Sequence, residues 1–362
     1  MAGFAAERGV TLAHRDSRAT LTSLGSYADL SGTRSVREEI LAGQLAGGAT
    51  MVTGAGNRAR PEEADPERTC FERDRDRILH SSSFRRLAGK TQVFIFPDDH
   101  MRTRLTHALE VAQVATGVAR AVGLNVALTE AIALGHDCGH GPGGHASEEA
   151  LDPYVEGGFD HAVFGADVAL APLNLCLETI EGIRNHSWSR PAPSTPEGEI
   201  VSWADRIAYV CHDFEDAVSA GIVGNEELPA IVADRCGARR GSQLGAFINA
   251  MVRTIRETGV VGMDERTAEA LAAFRTFNYE TIYLRQSSRT QAERVVSMLR
   301  ALVEHYAAHP TLLPQGEADP GSAAALAAAV NYVAGMTDRF ACRSAVTLLN
   351  WPDDQLPSGI DR

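Results

Sequence analysis

The chain has 362 residues, 44% of them hydrophobic and only 6% aromatic, with a formal net charge of −13 at neutral pH. That is enough apolar material for a large core, or for one core plus a subdomain, while the acidic balance argues against broad binding to nucleic-acid backbones, which takes a basic face. No stretch approaches the ~20 uninterrupted apolar residues of a membrane span, and six scattered cysteines without a C-x-x-C pair argue against a disulfide framework or a thiolate zinc site.

In chain order, residues 1–57 are weakly patterned and read as an N-terminal arm with one short helical candidate, Ser35–Leu45. Glu7, Arg8, Arg15 and Asp16 interrupt its apolar residues, so it does not read as a secretory signal, and a cytoplasmic location is expected. Arg58–Thr69, with Pro61 and Pro66, reads as a loop. A helix is expected from about Phe71 towards Leu87, then a short strand, Gln92–Phe96, from its apolar, β-branched run. Helical spacing of apolar residues marks Thr103–Val122, closed by Gly123, and a second helix, Val126–Leu134. Gly135 to His145 holds too much glycine and proline for regular helix and reads as a loop that brings backbone close to something. Further helices are expected from Ser147, over Leu175–His186 and Glu199–Ala220, and then near Gly241–Glu257, Arg266–Phe277, Arg289–Ala308 and Ala323–Leu348. The fold expected is all-α, with an arm at 1–57, a catalytic core at 58–220 and a helical C-terminal region at 221–362 packed on it.

Histidines crowd one part of the chain: His100, His107, His136, His140, His145, His161 and then His186. His136 and Asp137 are adjacent where a helix runs into the glycine loop, so both can reach one ion. Asp205 lies among Val201, Ala204, Ala208 and Cys211, on or beside an inward face, and a buried carboxylate needs a cation or a metal. His107 lies inside the apolar pattern of its own helix. Each signal alone has a plainer reading: a chance dipeptide, a cap or an ion pair with Arg206, a hydrogen-bonded core histidine. Together they give His107, His136, Asp137 and Asp205, a mixed imidazole–carboxylate set suited to Mn, Fe, Co, Ni, Zn or, less ideally, Mg. Cys138 is read as a small buried residue beside this set. Arg73, Arg75, Arg77, Arg85, Arg86, Lys90, Arg102 and Arg104 form a local concentration of cations for an anionic substrate.

The ordered set His, His-Asp, Asp is the signature of the HD-domain phosphohydrolases. Arg73–Ile78, Phe84–Leu87, Lys90–Phe94, Thr103–His107, Gly144–Leu151, Gly157–His161, Asp205–Asp213 and Ala334–Arg339 resemble the deoxyguanosine triphosphate triphosphohydrolase family. The resemblance runs from about Arg58 to Pro352. It implies a mostly helical HD-domain protein that hydrolyses deoxynucleoside triphosphates to a deoxynucleoside and inorganic triphosphate. Carried onto this sequence, it implies one divalent ion, Mn or Mg first, on His107, His136, Asp137 and Asp205. It places His145 beside the α-phosphorus with Glu148 orienting it, and His161 in the same proton-transfer machinery. Arg104, His140 and Arg206 would meet phosphate, while Gln92, Tyr209 and Asp213 would meet the sugar, with the Tyr209 ring leaving no room for a 2′-hydroxyl. Gly141-Pro142-Gly143-Gly144 replaces a bulkier family turn, and Ala162 and Val163 are apolar where the family often has polar side chains.

The resemblance also implies a homo-oligomer, in some members activated by a nucleotide. Other readings are a 5′-nucleotidase, a cyclic-nucleotide phosphodiesterase, a phosphatase on a modified nucleotide, or a non-catalytic dNTP sensor. A membrane partner is not expected, nor nucleic acid as the main ligand.

Overall fold

The computed structural model describes residues 4–5, 10–18, 33–314 and 316–358. Parts of the expected arm, residues 1–3, 6–9 and 19–32, and the last four residues of the expected C-terminal region lie outside the described residues. The fold is helical. Strands β1 (Phe4–Ala5) and β2 (Thr11–Leu12) form a two-residue antiparallel pair, the only sheet among the described residues.

The helices are α1 (Arg34–Ala42), α2 (Cys70–His80), α3 (Ser82–Arg86), α4 (Arg104–Val122), α5 (Val126–Gly135), α6 (His145–Leu151), α7 (His161–Phe164), α8 (Leu177–Arg184), α9 (Pro196–Ser219), α10 (Ala230–Cys236), α11 (Arg240–Thr258), α12 (Glu265–Asn278), α13 (Gln286–Ala308), α14 (Ala323–Ala334) and α15 (Asp338–Leu349). Local chemistry sets their ends. Thr69 and Glu72 form a capping box at α2, Asn125 caps α5, and Thr195 caps α9 with Pro196 in its first turn. Gly123 ends α4 in the left-handed region at φ 75°, which only glycine enters at little cost.

Two apolar clusters hold the helices together. The larger joins α2, α4, α5, α8 and α9 with α10–α12 through residues such as Ile78, Val111, Ile132, Ile183, Ile207, Phe247 and Phe274. The smaller joins α6 to α13–α15 through Leu151, Leu299, Leu302, Val330 and Ala341. Buried Glu197 ties the segment after α1 to the larger cluster, accepting from the Thr50 amide and hydroxyl and from the Asn125 amide.

Three expected elements differ. The helix expected from Phe71 towards Leu87 is two, α2 and α3, broken at Ser81, whose extended backbone ends α2 and whose hydroxyl caps α3 by accepting from the Phe84 amide. Gln92–Phe96 is not a strand: it is a series of bends, with only an isolated bridge from Thr91 to Thr103. No neighbouring strand is there to pair with it among the described residues; Gln92, Val93, Phe94 and Ile95 line a cavity instead, and Phe96 packs against the smaller apolar cluster. The single helix expected over Ala323–Leu348 is two, α14 and α15, broken at Gly335-Met336-Thr337, where Thr337 is the N-cap residue of α15.

Candidate active site

The Gly135–His145 loop sets the site geometry. A Cβ on Gly139 would lie 2.0 Å from the His161 carbonyl oxygen, so this crossing of two chain segments needs glycine. At Gly144, with φ +65°, a Cβ would press within 3.0 Å of an Arg104 guanidinium nitrogen. The loop is anchored from the C-terminal helices: Asp338 accepts from the Gly143 amide at 2.8 Å and the Thr91 hydroxyl at 2.6 Å. The buried Lys90 ammonium donates to the carbonyls of His140 and Ala334.

Four donors converge below this loop. His107 comes from α4, His136 and Asp137 from the end of α5, and Asp205 from the middle of α9. His107 Nε2 lies 3.0 Å from Asp205 Oδ1, and His136 Nε2 lies 3.4 Å from Asp137 Oδ1 and 3.7 Å from Asp205 Oδ1. His136 Nδ1 donates to the Ala133 carbonyl at 2.7 Å. A carbonyl can only accept, so the proton sits on Nδ1 and the Nε2 lone pair points into the cluster. Buried Nε2 has no hydrogen-bond partner, which is what a metal-ligating histidine requires. The donor set fits a divalent ion. Burial alone would raise the Asp137 pKa, but Arg104, His136 and His140 hold it well below the usual carboxylate range.

Above the cluster, Glu148 on α6 bridges two histidines. Its carboxylate meets His145 Nδ1 at 3.0 Å and His161 Nδ1 at 2.6 Å, and also accepts from the His161 amide. Burial opposes its charge, yet the hydrogen bonds from His145 and His161 drive its pKa far down. For His161, burial favours the neutral ring, and the Glu148 hydrogen bond outweighs it, raising the pKa. His145 is open to the cavity, its side chain 76% exposed. His140 is buried, stacks on His161 with ring centroids 3.7 Å apart, and places Nε2 3.2 Å from Asp137 Oδ1. It therefore touches the metal-ligand candidates as well as the cavity.

All of these groups except buried His136 line a cavity of about 670 Å³. Arg104 is 2% exposed and donates from Nη1 to Asp137 Oδ2 at 2.7 Å, while Nε and Nη2 have no partner. Arg206 lays its guanidinium 3.6 Å from the centre of the Trp188 ring. Tyr209 accepts from Arg275 Nε at 3.1 Å, and Asp213 Oδ2 accepts from the Tyr283 hydroxyl at 2.5 Å. Asp213 Oδ1 and Gln92 Oε1 are buried without hydrogen-bond partners. Burial pushes the Asp213 carboxyl up to about 7, partly offset by Tyr283 and His107.

The residues expected to hold metal, move protons or meet substrate thus lie in or against this cavity, but of the expected concentration of cations only Arg104 lines it: Arg73, Arg75, Arg77 and Arg102 are ion-paired with carboxylates elsewhere, and His100 sits in an exposed turn. Cys138 is buried, its thiol pushed up to about 12 by burial, and is no nucleophile. Tyr283, Arg275 and Trp188 were not singled out by sequence. Tyr283 lies in a π-helical turn after α12, where helical spacing gives no signal. Trp188 follows His186 in a loop, and only its proximity to that histidine could have marked it.

Comparison with known proteins adds the following. Residues 104–210 match the HD domain and residues 261–346 match the phosphohydrolase-associated domain. A deoxyguanosinetriphosphate triphosphohydrolase-like protein of Caldanaerobacter subterraneus is 38% identical over 333 residues, covering 90% of this chain and 96% of that protein. Proteins of the same description from Clostridium perfringens and Geobacter metallireducens are 38% and 36% identical, covering 78% and 82% of this chain and 87% and 93% of theirs. A solved structure of a hypothetical protein from Aquifex aeolicus superposes with a TM-score of 0.50 at 18% identity, over 78% of this chain and 69% of that one, a likeness of fold alone.

Proposed function

This chain belongs to the deoxyguanosinetriphosphate triphosphohydrolase-like family of HD-domain phosphohydrolases, and from that premise we propose that it hydrolyses deoxynucleoside triphosphates to a deoxynucleoside and inorganic triphosphate. The observation that carries the reading is Arg104: a buried guanidinium with two unpartnered nitrogens, beside a His/Asp cluster, in a cavity of nucleotide size. We assign the divalent ion, Mn or Mg, to His107, His136, Asp137 and Asp205. Such an ion, when bound, supplies charge neutralisation at the phosphoryl group and acidification of water.

The chain's own residues do the rest. Arg104 offers its free N–H groups to the α-phosphate oxygens while its third nitrogen fixes Asp137. Arg206, held flat by Trp188, meets the outer phosphates, and His140 supports the inner ones. Glu148 fixes the rings of His145 and His161. His145 takes the proton of the attacking water, the bond between the α-phosphorus and O5′ breaks, and His161 returns a proton to the departing O5′. The Tyr209 ring faces C2′ and excludes a 2′-hydroxyl. Asp213 Oδ1, which lacks a partner, accepts from the 3′-hydroxyl, and the Gln92 amide group donates to it. We keep the division into an arm at 1–57, a core at 58–220 and a C-terminal region at 221–362; contacts of α10–α12 with the larger apolar cluster support the last as packed on the core.

The test is product analysis with dATP, dGTP, dCTP and dTTP, each with Mn²⁺ or Mg²⁺. Triphosphate and deoxynucleoside in equal amounts are expected, with ribonucleotides rejected. Orthophosphate from nucleoside monophosphates would point to a 5′-nucleotidase, and tight dNTP binding without turnover to a sensor; either refutes the reading. Sedimentation with and without dNTP tests the self-association that the family resemblance implies.

A further inference from the structure

His186 has been given no role, yet it is built like a ligand. It follows the end of α8, is 2% exposed, and its Nδ1 donates to the Ile183 carbonyl at 2.8 Å. His136 does the same to Ala133, at the end of α5. In both, a carbonyl three residues back takes the Nδ1 proton and leaves the Nε2 lone pair facing inward. The two rings stand edge to face, centroids 4.9 Å apart. Donor atoms of His136, His186 and Asp205 lie within 4.8 Å of one another. The Ser202 hydroxyl, one turn before Asp205 on α9, donates to the His186 carbonyl and fixes the backbone there.

One other group meets His186 Nε2: His161 Nε2 lies 3.3 Å away, on a ring whose Nδ1 faces Glu148. The His186 donor atom thus sits where the cluster of His136 and Asp205 meets the His145–Glu148–His161 group.

We propose that His186 is a fifth protein ligand to the divalent ion, joining His107, His136, Asp137 and Asp205. The assignment rests on the reading of those four as the metal set. Three imidazoles and two carboxylates form a nitrogen-rich set that favours Mn, Fe, Co or Zn over Mg, which prefers oxygen donors and retains water.

The experiment counts imidazoles on the ion. In the unaltered protein loaded with Mn²⁺ or Co²⁺, X-ray absorption or pulsed electron paramagnetic resonance should find three bound imidazoles, falling to two in His186→Ala. Competition against a chelator should show Mn²⁺ binding weakened by about 10- to 100-fold or more in His186→Ala and His186→Gln. Two imidazoles in the unaltered protein overturn the assignment. So does unchanged Mn²⁺ affinity in His186→Gln, and if that comes with a displaced pH–rate profile, His186 is instead the proton acceptor of His161. Should the variants fail to fold, the imidazole count on the unaltered protein still decides. Three imidazoles without triphosphate release overturns the proposed reaction and leaves the assignment standing; two with triphosphate release does the reverse.

Discussion

Asp213→Asn should change how stability depends on pH, and the sign follows from burial. The carboxyl is 3% exposed, accepts one hydrogen bond from Tyr283, and is pushed up to about 7 in the folded chain. In the unfolded chain an aspartate titrates near 3.9. A raised folded pKa means the native state holds the proton more tightly. Its stabilising contribution is therefore full below about pH 4, is lost as pH rises towards 7, and is flat above that. The span is about 3 pH units at about 1.4 kcal/mol each, or on the order of 4 kcal/mol. The carboxamide introduced by Asp213→Asn has no such titration. Urea unfolding of metal-free protein between pH 4.5 and 8.5 should show the stability of Asp213→Asn relative to the unaltered protein climbing through this window and levelling near pH 7. Tyr283→Phe removes the bond that opposes the shift and should move the levelling point to higher pH. A stability difference constant from pH 4.5 to 8.5, or one that grows only above pH 8, would refute the argument.

Three further outcomes bear on the proposed reaction. Tyr209→Ala should admit ribonucleoside triphosphates, cutting the discrimination measured as a ratio of kcat/KM values by about 10-fold or more; unchanged selectivity would remove Tyr209 from that role. Arg104→Ala should lower kcat by about 10²- to 10³-fold and, by stranding Asp137, destabilise metal-free protein by about 3–5 kcal/mol; equal activity in the variant would place phosphate recognition elsewhere. Glu148→Gln should lower kcat by about 10²- to 10⁴-fold with little change in KM, since both histidines lose their orienting charge while substrate contacts persist; a loss confined to KM would assign Glu148 to binding.

Sequence spacing carried most of the helical framework, because the long helices bury a continuous apolar face and several, such as α4, α5, α9 and α11, begin on a capping side chain or end on a glycine. For the cavity it carried less: His107 and Asp205 occupy positions that the apolar pattern points inward and Asp137 stands beside His136, while the proton-transfer and substrate residues came from the family resemblance. It misread Gln92–Phe96, whose β-branched, apolar pattern serves a cavity wall here, a role locally indistinguishable from a strand. It merged α14 and α15 because the alanine-rich α14 runs into a break of only three residues, and it ran α2 into α3 because a single residue, Ser81, parts them. Tyr283 was out of reach for another reason: it approaches Asp213 from 70 residues away through a π-helical turn that follows no 3.6-residue spacing. His186 stood in the histidine group, but only coordinates pair its Nδ1 bond with that of His136.

The hydrogen bond from Gly143 to Asp338 has a consequence for how the protein is born. Its two ends are 195 residues apart in the chain. By the time α9 has left the ribosome, all four proposed ligands have been made. The anchor that shapes the loop above them arrives only with α15. An incomplete chain can thus hold its ion donors well before it can hold its nucleotide, so the growing polypeptide would pass most of its synthesis with the hydrolytic cavity unfinished.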